Sequence, residues 1–137
     1  NDELRSFIEK MGQNPCIADG FITEFCFNLS IGDDFDAGCD LKIIDCNEVS
    51  IGNNVTIGEN VGIYTSNHAK YPKLRRDHWC SELPIRIGNN VVIESNSVVL
   101  PGTIIGDDAW IRPGSVVLGR IEADSICAGA PARRESK

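Results

Sequence analysis

The 137-residue sequence has few of the residues and patterns that mark several large classes of protein. It contains only two histidines and one methionine, and no apolar run approaches the roughly 20 residues of a membrane-spanning helix. We therefore expect no membrane span. Basic residues number 13 against 20 acidic ones, and the resulting net charge of −7 argues against nucleic-acid binding.

The six cysteines include no CxxC pair, although their number is even. A chain of this length can bury a continuous core without covalent cross-links. We therefore interpret the cysteines as small buried thiols of a cytoplasmic protein rather than as a disulfide framework. They are Cys16, Cys26, Cys39, Cys46, Cys80 and Cys127.

What the sequence has in abundance is a repeat of six residues, each unit carrying one aliphatic residue at the same position. A repeat this short holds one strand and one corner, so successive units stack into a solenoid. Residues two apart on a strand face the same side, so Val55 points inward together with Ile57. The repeated positions are Ile31, Ala37, Ile43, Ile51, Ile57, Ile63, Ile87, Ile93, Val99, Ile105, Ile111 and Val117.

Turn-forming residues fill the positions between these aliphatic residues. Gly-Asn-Asn occupies 52–54 and 88–90, and Gly-Asp-Asp occupies 32–34 and 106–108. Glycine, asparagine and aspartate tolerate a left-handed backbone, so each unit bends after its strand. Three bends close a triangle, and one coil of the resulting prism takes about 18 residues. Each aliphatic residue then stacks on the one that follows a coil later, as Ile87 on Ile105.

The six-residue step is broken twice. Between Ile43 and Ile51 two extra residues predict a bulge at 46–48. Between Ile63 and Ile87 the gap equals one unit plus about one coil, so we predict that a loop at 66–84 leaves the prism and returns. Long excursions from a regular scaffold are usually functional.

The residues before the repeat predict an amphipathic helix over 2–11 that Gly12 ends, with Leu4, Phe7, Ile8 and Met11 on one face. This helix is expected to cap or lean on the first coil. We accordingly divide the chain into a helix and lead-in segment at 1–27, the repeat domain at 28–128, and a C-terminal tail at 129–137.

The loop carries the residues that could perform chemistry. His68 lies where the chain leaves the prism, and a histidine held on a rigid wall beside a loop suits a general base near neutral pH. The loop also concentrates positive charge, which suits a small polyanion, and Arg75 is our candidate there for contact with substrate. Its basic residues are Lys70, Lys73, Arg75 and Arg76.

The repeat, the histidine at the loop mouth and the ending AGAPAR at 128–133 together resemble the hexapeptide-repeat acyltransferases. The string VSIGNNVTIGENVGIYTSNH at 49–68 is most similar to the maltose, galactoside and nodulation-factor O-acetyltransferase group. The resemblance implies an all-β solenoid, a left-handed parallel β-helix with a short N-terminal helix and one long protruding loop. It also implies a homotrimer that transfers an acetyl group from acetyl-CoA to a hydroxyl, without a metal, in sites between neighbouring subunits.

The resemblance also assigns roles to individual residues. His68 matches the family's catalytic histidine, which takes the proton from the acceptor hydroxyl, and Ser95 matches the residue whose backbone N–H stabilises the oxyanion. CoA is expected along 93–117, with Arg133 near its phosphates. The positions that contact the acceptor match Glu24, Gly38 and Cys46.

Several residues depart from the family pattern. The chain has Arg-Pro-Gly-Ser at 112–115 where the family usually has Gly-Ala-Gly-Ser. Pro113 has no N–H to offer to pantetheine, whereas Arg112 adds a cation that suits a phosphate. Because Glu24, Gly38 and Cys46 are not the residues expected for a simple sugar, we expect a shifted acceptor, such as a nucleotide sugar or a polysaccharide unit.

Three alternative functions stay open on the sequence. A zinc enzyme on the same prism, like the γ-class carbonic anhydrases, needs about three histidine ligands, and the chain has two. A non-catalytic trimeric scaffold is compatible with the changes at Arg112 and Pro113, since a fold implies no activity. A serine acetyltransferase-like enzyme shares the fold and the tail.

Overall fold

Inward-facing aliphatic residues stack in columns because each short strand pairs in parallel with the strand one coil away. Ile87 pairs with Ile105, and Ile93 pairs with Ile111, as the repeat predicts. The computed structural model describes residues 2–8 and 10–135. It confirms a parallel β-solenoid of three faces.

The strands divide among three faces. The first face consists of β1 (Lys10–Met11), β4 (Leu29–Ile31), β7 (Val49–Ile51), β12 (Ile85–Ile87), β15 (Ile104–Ile105) and β18 (Arg120–Ile121). The second consists of β2 (Cys16–Ile17), β5 (Asp36–Ala37), β8 (Thr56–Ile57), β13 (Val92–Ile93), β16 (Trp110–Ile111) and β19 (Ile126–Gly129), with β20 (Ala132–Arg134) antiparallel to β19. The third consists of β3 (Ile22–Thr23), β6 (Lys42–Ile44), β9 (Gly62–Tyr64), β14 (Val98–Val99) and β17 (Val116–Val117).

Three corners join these faces. The first corner joins the first face to the second, the second corner joins the second to the third, and the third corner leads back to the first. Left-handed residues form the turns, as at Asn54 (φ 55°) and Asn90 (φ 57°) of the first corner and Asn96 (φ 65°) of the second. The turn chemistry of the repeat therefore has the conformation that its residue types predict.

The protruding segment is an antiparallel hairpin at the third corner. It consists of β10 (Ser66–His68), the short helix α2 (Pro72–Arg76) and β11 (Cys80–Glu82), and β12 then resumes the first face. Ile87 pairs with Ile51, so the coil closes in register across the excursion, as the step in the repeat predicts. The bulge expected near 46–48 lies at the same corner, one coil earlier.

The N-terminal region differs from the sequence prediction. Helix α1 spans only Asp2–Phe7, and Met11 lies in β1, where it pairs with Ile31. Stacked strands thus begin at Lys10, well before the expected start at 28. The lead-in segment follows the same repeat, but with fewer isoleucine and valine residues at the inward positions. Arg5 donates to the carbonyl oxygens of Met11 and Gly12, so the helix does lean on the first coil. The expected contact of Leu4 lies outside the residues with described side chains.

The cysteines are only partly as expected. All six are unpaired thiols in the structure. Burial was predicted wrongly, because only Cys127 is buried, whereas Cys16, Cys39 and Cys80 are exposed. Cys127 continues the inward-facing column, since it pairs with Ile111, but Cys16 and Cys39 occupy outward positions of the repeat.

Candidate functional site

The hairpin holds His68 on its first strand. His68 is exposed and lies opposite Cys80 in the antiparallel register of β10 and β11. Thr65 anchors the hairpin, because its backbone oxygen accepts the N–H of Leu83 at 2.8 Å and its hydroxyl donates to the Ile44 carbonyl at 2.7 Å. The imidazole therefore stands beside a fixed stem rather than on a free loop.

Arg75 of helix α2 braces this hairpin. Its Nη1 donates to the carbonyl oxygens of Ala69 (3.2 Å) and Lys70 (2.9 Å). The candidate substrate contact is thus partly used inside the hairpin, and the remaining guanidinium N–H groups face solvent, since Arg75 is exposed.

A buried carboxylate organises the third corner below the hairpin. Asp45 is fully buried, and its Oδ1 accepts the hydroxyl of Thr23 (3.0 Å) and the backbone N–H of Phe25 (2.8 Å). Its Oδ2 accepts the N–H of Asn28 at 3.2 Å. The flanking candidates, Glu24 and Cys46, lie beside these bonds, so Asp45 brings them to the same corner as the stem that carries His68.

The other candidates lie at the second corner. Gly38 lies in one column of this corner with Gly58, Glu94 and Arg112, because β5, β8, β13 and β16 are paired in register. Ser95 and Pro113 follow directly in the next column. The sequence candidates therefore divide between two corners, and the structure brings Ser95, Arg112 and Pro113 together.

Side chains at the corners cap backbone N–H groups of the preceding coil. At the first corner, Oδ1 of Asn53 accepts the N–H of Asp33 (2.8 Å), and Oδ1 of Asn89 accepts that of Asn53 (2.8 Å). At the second corner, Oγ of Ser95 accepts the N–H of Glu59 at 2.9 Å. The column would continue from Ser95 to Pro113, whose ring offers no acceptor.

The backbone N–H of Ser95 is consequently uncapped. No acceptor among residues 2–8 and 10–135 takes it, whereas the Ser95 carbonyl accepts the N–H of Gly114 at 2.9 Å. A fixed backbone N–H without an internal partner is the type of donor that an oxyanion requires. Gly58 preserves this arrangement, because a Cβ there would lie 2.5 Å from the Ser95 nitrogen.

An aromatic and ionic cluster borders Ser95. Trp110 Nε1 donates to Glu94 Oε2 at 2.9 Å, and the Arg112 guanidinium lies 4.3 Å from the centre of the Trp110 ring. Arg112 also forms a half-exposed ion pair with Glu135, with Nε to Oε1 at 3.2 Å. Arg112 thus links the second corner to the C-terminal tail.

The tail places Arg133 on the second face. Strand β20 pairs with β19, with Arg133 opposite Ala128, and the N–H of Glu135 donates to the Ile126 carbonyl at 2.7 Å. A cleft of about 390 Å³ lies here, lined by three arginines with Glu122 and Ser125. The arginines are Arg120, Arg133 and Arg134.

Sequence reasoning missed Trp110, Glu135 and Arg120 as parts of this region. One signal was present for Trp110, because it directly precedes the inward-facing Ile111 and must therefore point outward. Nothing in the repeat indicated that the tail turns back as a strand, which is what brings Glu135 to Arg112.

Two half-sites thus lie on opposite edges of the third face. The corner half-site consists of Ser95, Arg112 and Pro113, and the hairpin half-site consists of His68, Glu24 and Cys46. From Ser95 to the end of β14 the chain makes four residue steps, which span at most about 13 Å. No hydrogen bond or ion pair joins the two sets in the described residues.

Among the described residues, no group of three or more His, Cys, Asp or Glu side chains is placed to hold a metal ion. Neither of the helices in this part of the chain is long and apolar enough to cross a membrane.

The chain matches known proteins over most of its length. A family model described as "Bacterial transferase hexapeptide (six repeats)" matches residues 84–119, and one described as "Hexapeptide repeat of succinyl-transferase" matches residues 48–66. Galactoside O-acetyltransferase of Escherichia coli K12 is 35% identical over 130 residues, which are 95% of this chain and 64% of that protein. The chain thus spans less than two thirds of the length of that relative.

The chain covers more than two thirds of two other similar proteins. Nodulation protein L of Rhizobium meliloti is 35% identical over 95% of this chain and 71% of its own. A solved structure of galactoside acetyltransferase in complex with coenzyme A superposes with a TM-score of 0.96 and 33% identity, over 99% of this chain and 68% of the other.

Proposed function

Because the chain belongs to the hexapeptide-repeat transferase family, within the galactoside, maltose and nodulation-protein group of O-acetyltransferases, we propose that it transfers an acetyl group from acetyl-CoA to a hydroxyl. The acceptor class is a sugar, a nucleotide sugar or a polysaccharide unit. The observation that carries this proposal is the uncapped N–H of Ser95 on the coil before Pro113.

The residues of the corner half-site fit a CoA thioester. The Ser95 N–H is free to stabilise the oxygen of the thioester carbonyl as negative charge develops on it. Arg133 and the neighbouring arginines suit the phosphates of CoA. Pro113 cannot donate to pantetheine, and the free N–H groups of the Arg112 guanidinium are available for that contact.

His68 acts as the general base of the proposed reaction. It takes the proton of the acceptor hydroxyl while the oxygen attacks the acetyl carbon, and the CoA thiolate leaves and takes up that proton. Glu24 and Cys46, which lie at the same corner as the hairpin, are the proposed contacts of the acceptor. The exposed N–H groups of Arg75 suit an acceptor that carries a phosphate.

We also propose that the active protein is a trimer with its sites between subunits. Support comes from the separation of the two half-sites across the third face. It also comes from large exposed hydrophobic side chains around that face and on the hairpin, which suit burial against another copy. These are Ile22, Phe25, Phe27, Tyr71, Trp79 and Leu118.

We also propose that the protein is cytoplasmic. It is supported by six unpaired cysteines, three of them exposed, since disulfides are rare where thiols are kept reduced.

The test is release of free thiol from acetyl-CoA across a panel of sugars, nucleotide sugars and amines. We expect a hydroxyl acceptor to stimulate release, and His68→Ala to lower that rate by at least ~10²-fold while acetyl-CoA binding by calorimetry is unchanged. A variant as active as the wild type would refute the role of His68. Binding of acetyl-CoA without turnover on any acceptor would favour the non-catalytic scaffold.

A further inference from the structure

The two breaks in the six-residue repeat lie against each other in neighbouring coils. Strands β6 and β9 pair just before the third corner, and strands β7 and β12 pair just after it. One coil crosses this corner with residues 45–48, which include the bulge, and the next coil crosses it with the hairpin at 65–84. The bulge therefore lies directly against the root of the hairpin that carries His68.

The first leg of the hairpin is tied to the bulge through Thr65, three residues before His68. Thr65 is fully buried, and its hydroxyl accepts the backbone N–H of Asn47 at 3.0 Å. The same hydroxyl donates to the Ile44 carbonyl at 2.7 Å, and the Thr65 N–H donates to that carbonyl at 3.2 Å. The start of the first leg is thus fixed on both sides of the bulge.

The second leg is tied to the bulge through the side chain of Asn47. Its Nδ2 donates to the carbonyl oxygen of Glu82 at 3.4 Å, and its Oδ1 accepts the N–H of Glu48 at 2.7 Å. An amide carries its donor and acceptor on opposite sides, so the bond to Glu48 turns the NH₂ group towards the hairpin. Because Glu82 is opposite Ser66 in the hairpin register, Asn47 holds both legs at the same level.

The bulge itself is fixed from the coil on its other side. Nδ2 of Asn28 donates to the carbonyl oxygens of Asp45 (2.8 Å) and Cys46 (3.4 Å). The Asp45 carboxylate is fully buried and accepts the N–H of Asn28 at 3.2 Å. A hydrogen-bonded connection therefore runs from Asn28 through the bulge to both legs of the hairpin.

We propose that Asn47 and Thr65 are positioning residues, which hold His68 at the distance and angle from the acceptor hydroxyl that proton transfer requires. This inference rests on the proposed function, since it requires His68 to be the general base. A general base acts only within hydrogen-bond reach of the proton that it takes, and a misplacement of about 1 Å can lower a rate by about 100-fold. The two extra residues of the bulge thereby acquire a role, because Asn47 lies within the bulge.

Two measurements on the intact protein test this inference. Acceptor-dependent release of thiol from acetyl-CoA gives kcat, and amide hydrogen exchange of peptides from 66–82 reports opening of the hairpin without any acceptor. In Asn47→Ala we expect faster exchange in these peptides and a kcat lowered by about 10–100-fold. The affinity for acetyl-CoA, measured by calorimetry, should stay at the wild-type value.

The Thr65 hydroxyl is tested by a pair of variants. Thr65→Val keeps the shape of the side chain but removes both bonds of the hydroxyl, so it should lower kcat as Asn47→Ala does. Thr65→Ser keeps the hydroxyl and should restore most of the activity. Asn47→Ala keeps the test decisive if valine at the buried position 65 prevents folding, because Asn47 is only half-buried.

Asn53→Ala is the matched control. Asn53 also links two coils through its side chain, since its Oδ1 accepts the N–H of Asp33 at 2.8 Å, but it lies at the first corner and makes no bond to the hairpin in the described residues. This variant should lose a similar amount of thermal stability and keep the wild-type kcat and hairpin exchange.

Three results in an active wild-type protein would overturn the inference and leave the proposed function intact. The first is hairpin exchange in Asn47→Ala that equals the wild type. The second is faster exchange with an unchanged kcat, and the third is an equal loss of kcat in Asn53→Ala. Absence of transfer by the wild type to any acceptor would instead refute the proposed function, and this inference with it.

Discussion

Ser95 Oγ accepts the N–H of Glu59 on the preceding coil at 2.9 Å. Pro113 has the same position on the following coil, and its side chain has no acceptor for the N–H of Ser95. The same position carries a capping side chain at several levels of the first corner, as with Asn53 and Asn89. The Ser95 N–H is thus an uncapped donor at the residue proposed to stabilise the oxyanion, whereas the N–H groups of Asn53 and Asn89 at the first corner are capped.

Restoring the cap at position 113 should remove the free donor. In Pro113→Asn the side-chain oxygen is expected to accept the Ser95 N–H, as Asn89 does for Asn53, and kcat should fall by about 10²–10³. Pro113→Ala, which has no acceptor on its side chain, should stay active. Steady-state thiol release with the acceptor found in the panel measures both, and equal rates in the two variants would count against an oxyanion role for Ser95.

Two variants that are inactive alone should restore activity when mixed. His68→Ala damages the hairpin half-site, and Pro113→Asn damages the corner half-site. If each site takes one half from each of two neighbouring copies of a cyclic trimer, random mixing leaves about one quarter of the sites intact. We expect co-refolded or co-expressed protein to regain about 25% of wild-type activity. No recovery in demonstrably mixed trimers would place the site within one chain.

Asp45 should contribute strongly to stability at the third corner. Its side chain satisfies the backbone N–H groups of Phe25 and Asn28 and the hydroxyl of Thr23 in a fully buried position. Leaving buried donors unpaired costs about 1–3 kcal/mol each, so Asp45→Ala should lower the free energy of unfolding by roughly 3 kcal/mol. Asp45→Asn keeps one acceptor oxygen and should lose less.

Urea unfolding at a fixed protein concentration measures this difference. Asp36→Ala, at an exposed position, is the control. If Asp45→Ala lowers the free energy of unfolding no more than Asp36→Ala does, the corner does not depend on the Asp45 carboxylate.

Arg133 should contribute to binding of CoA through its phosphates. A charge-assisted hydrogen bond is worth about 1.5–3 kcal/mol, so Arg133→Ala should weaken CoA at least about tenfold. The loss should shrink as salt rises, because the contact is exposed. Calorimetry with CoA and with acetyl-pantetheine provides the check, since the short donor lacks the nucleotide phosphates and should bind both proteins equally.

The sequence by itself determined the solenoid, its three faces and the position of the hairpin. The six-residue repeat specifies which side chains face inward, and a long-range register follows because strands one coil apart must align their apolar columns. The gap between Ile63 and Ile87 likewise showed where the hairpin leaves the prism and returns, because the apolar columns must stay aligned across it. Cys16 and Cys39 were wrongly predicted to be buried because that prediction used only the residue type. Their positions in the six-residue repeat face outward.

Only the tertiary structure decided how the candidate residues are grouped. Neighbours at a corner come from successive coils, so Ser95 meets Glu59 and Pro113, and Arg112 meets Glu135 through a strand that the repeat does not encode. His68 lies opposite Cys80 because the hairpin closes in one particular register. The separation of Ser95 from His68 across the third face follows from the closing of each coil into a triangle, which places consecutive corners on opposite edges of a face.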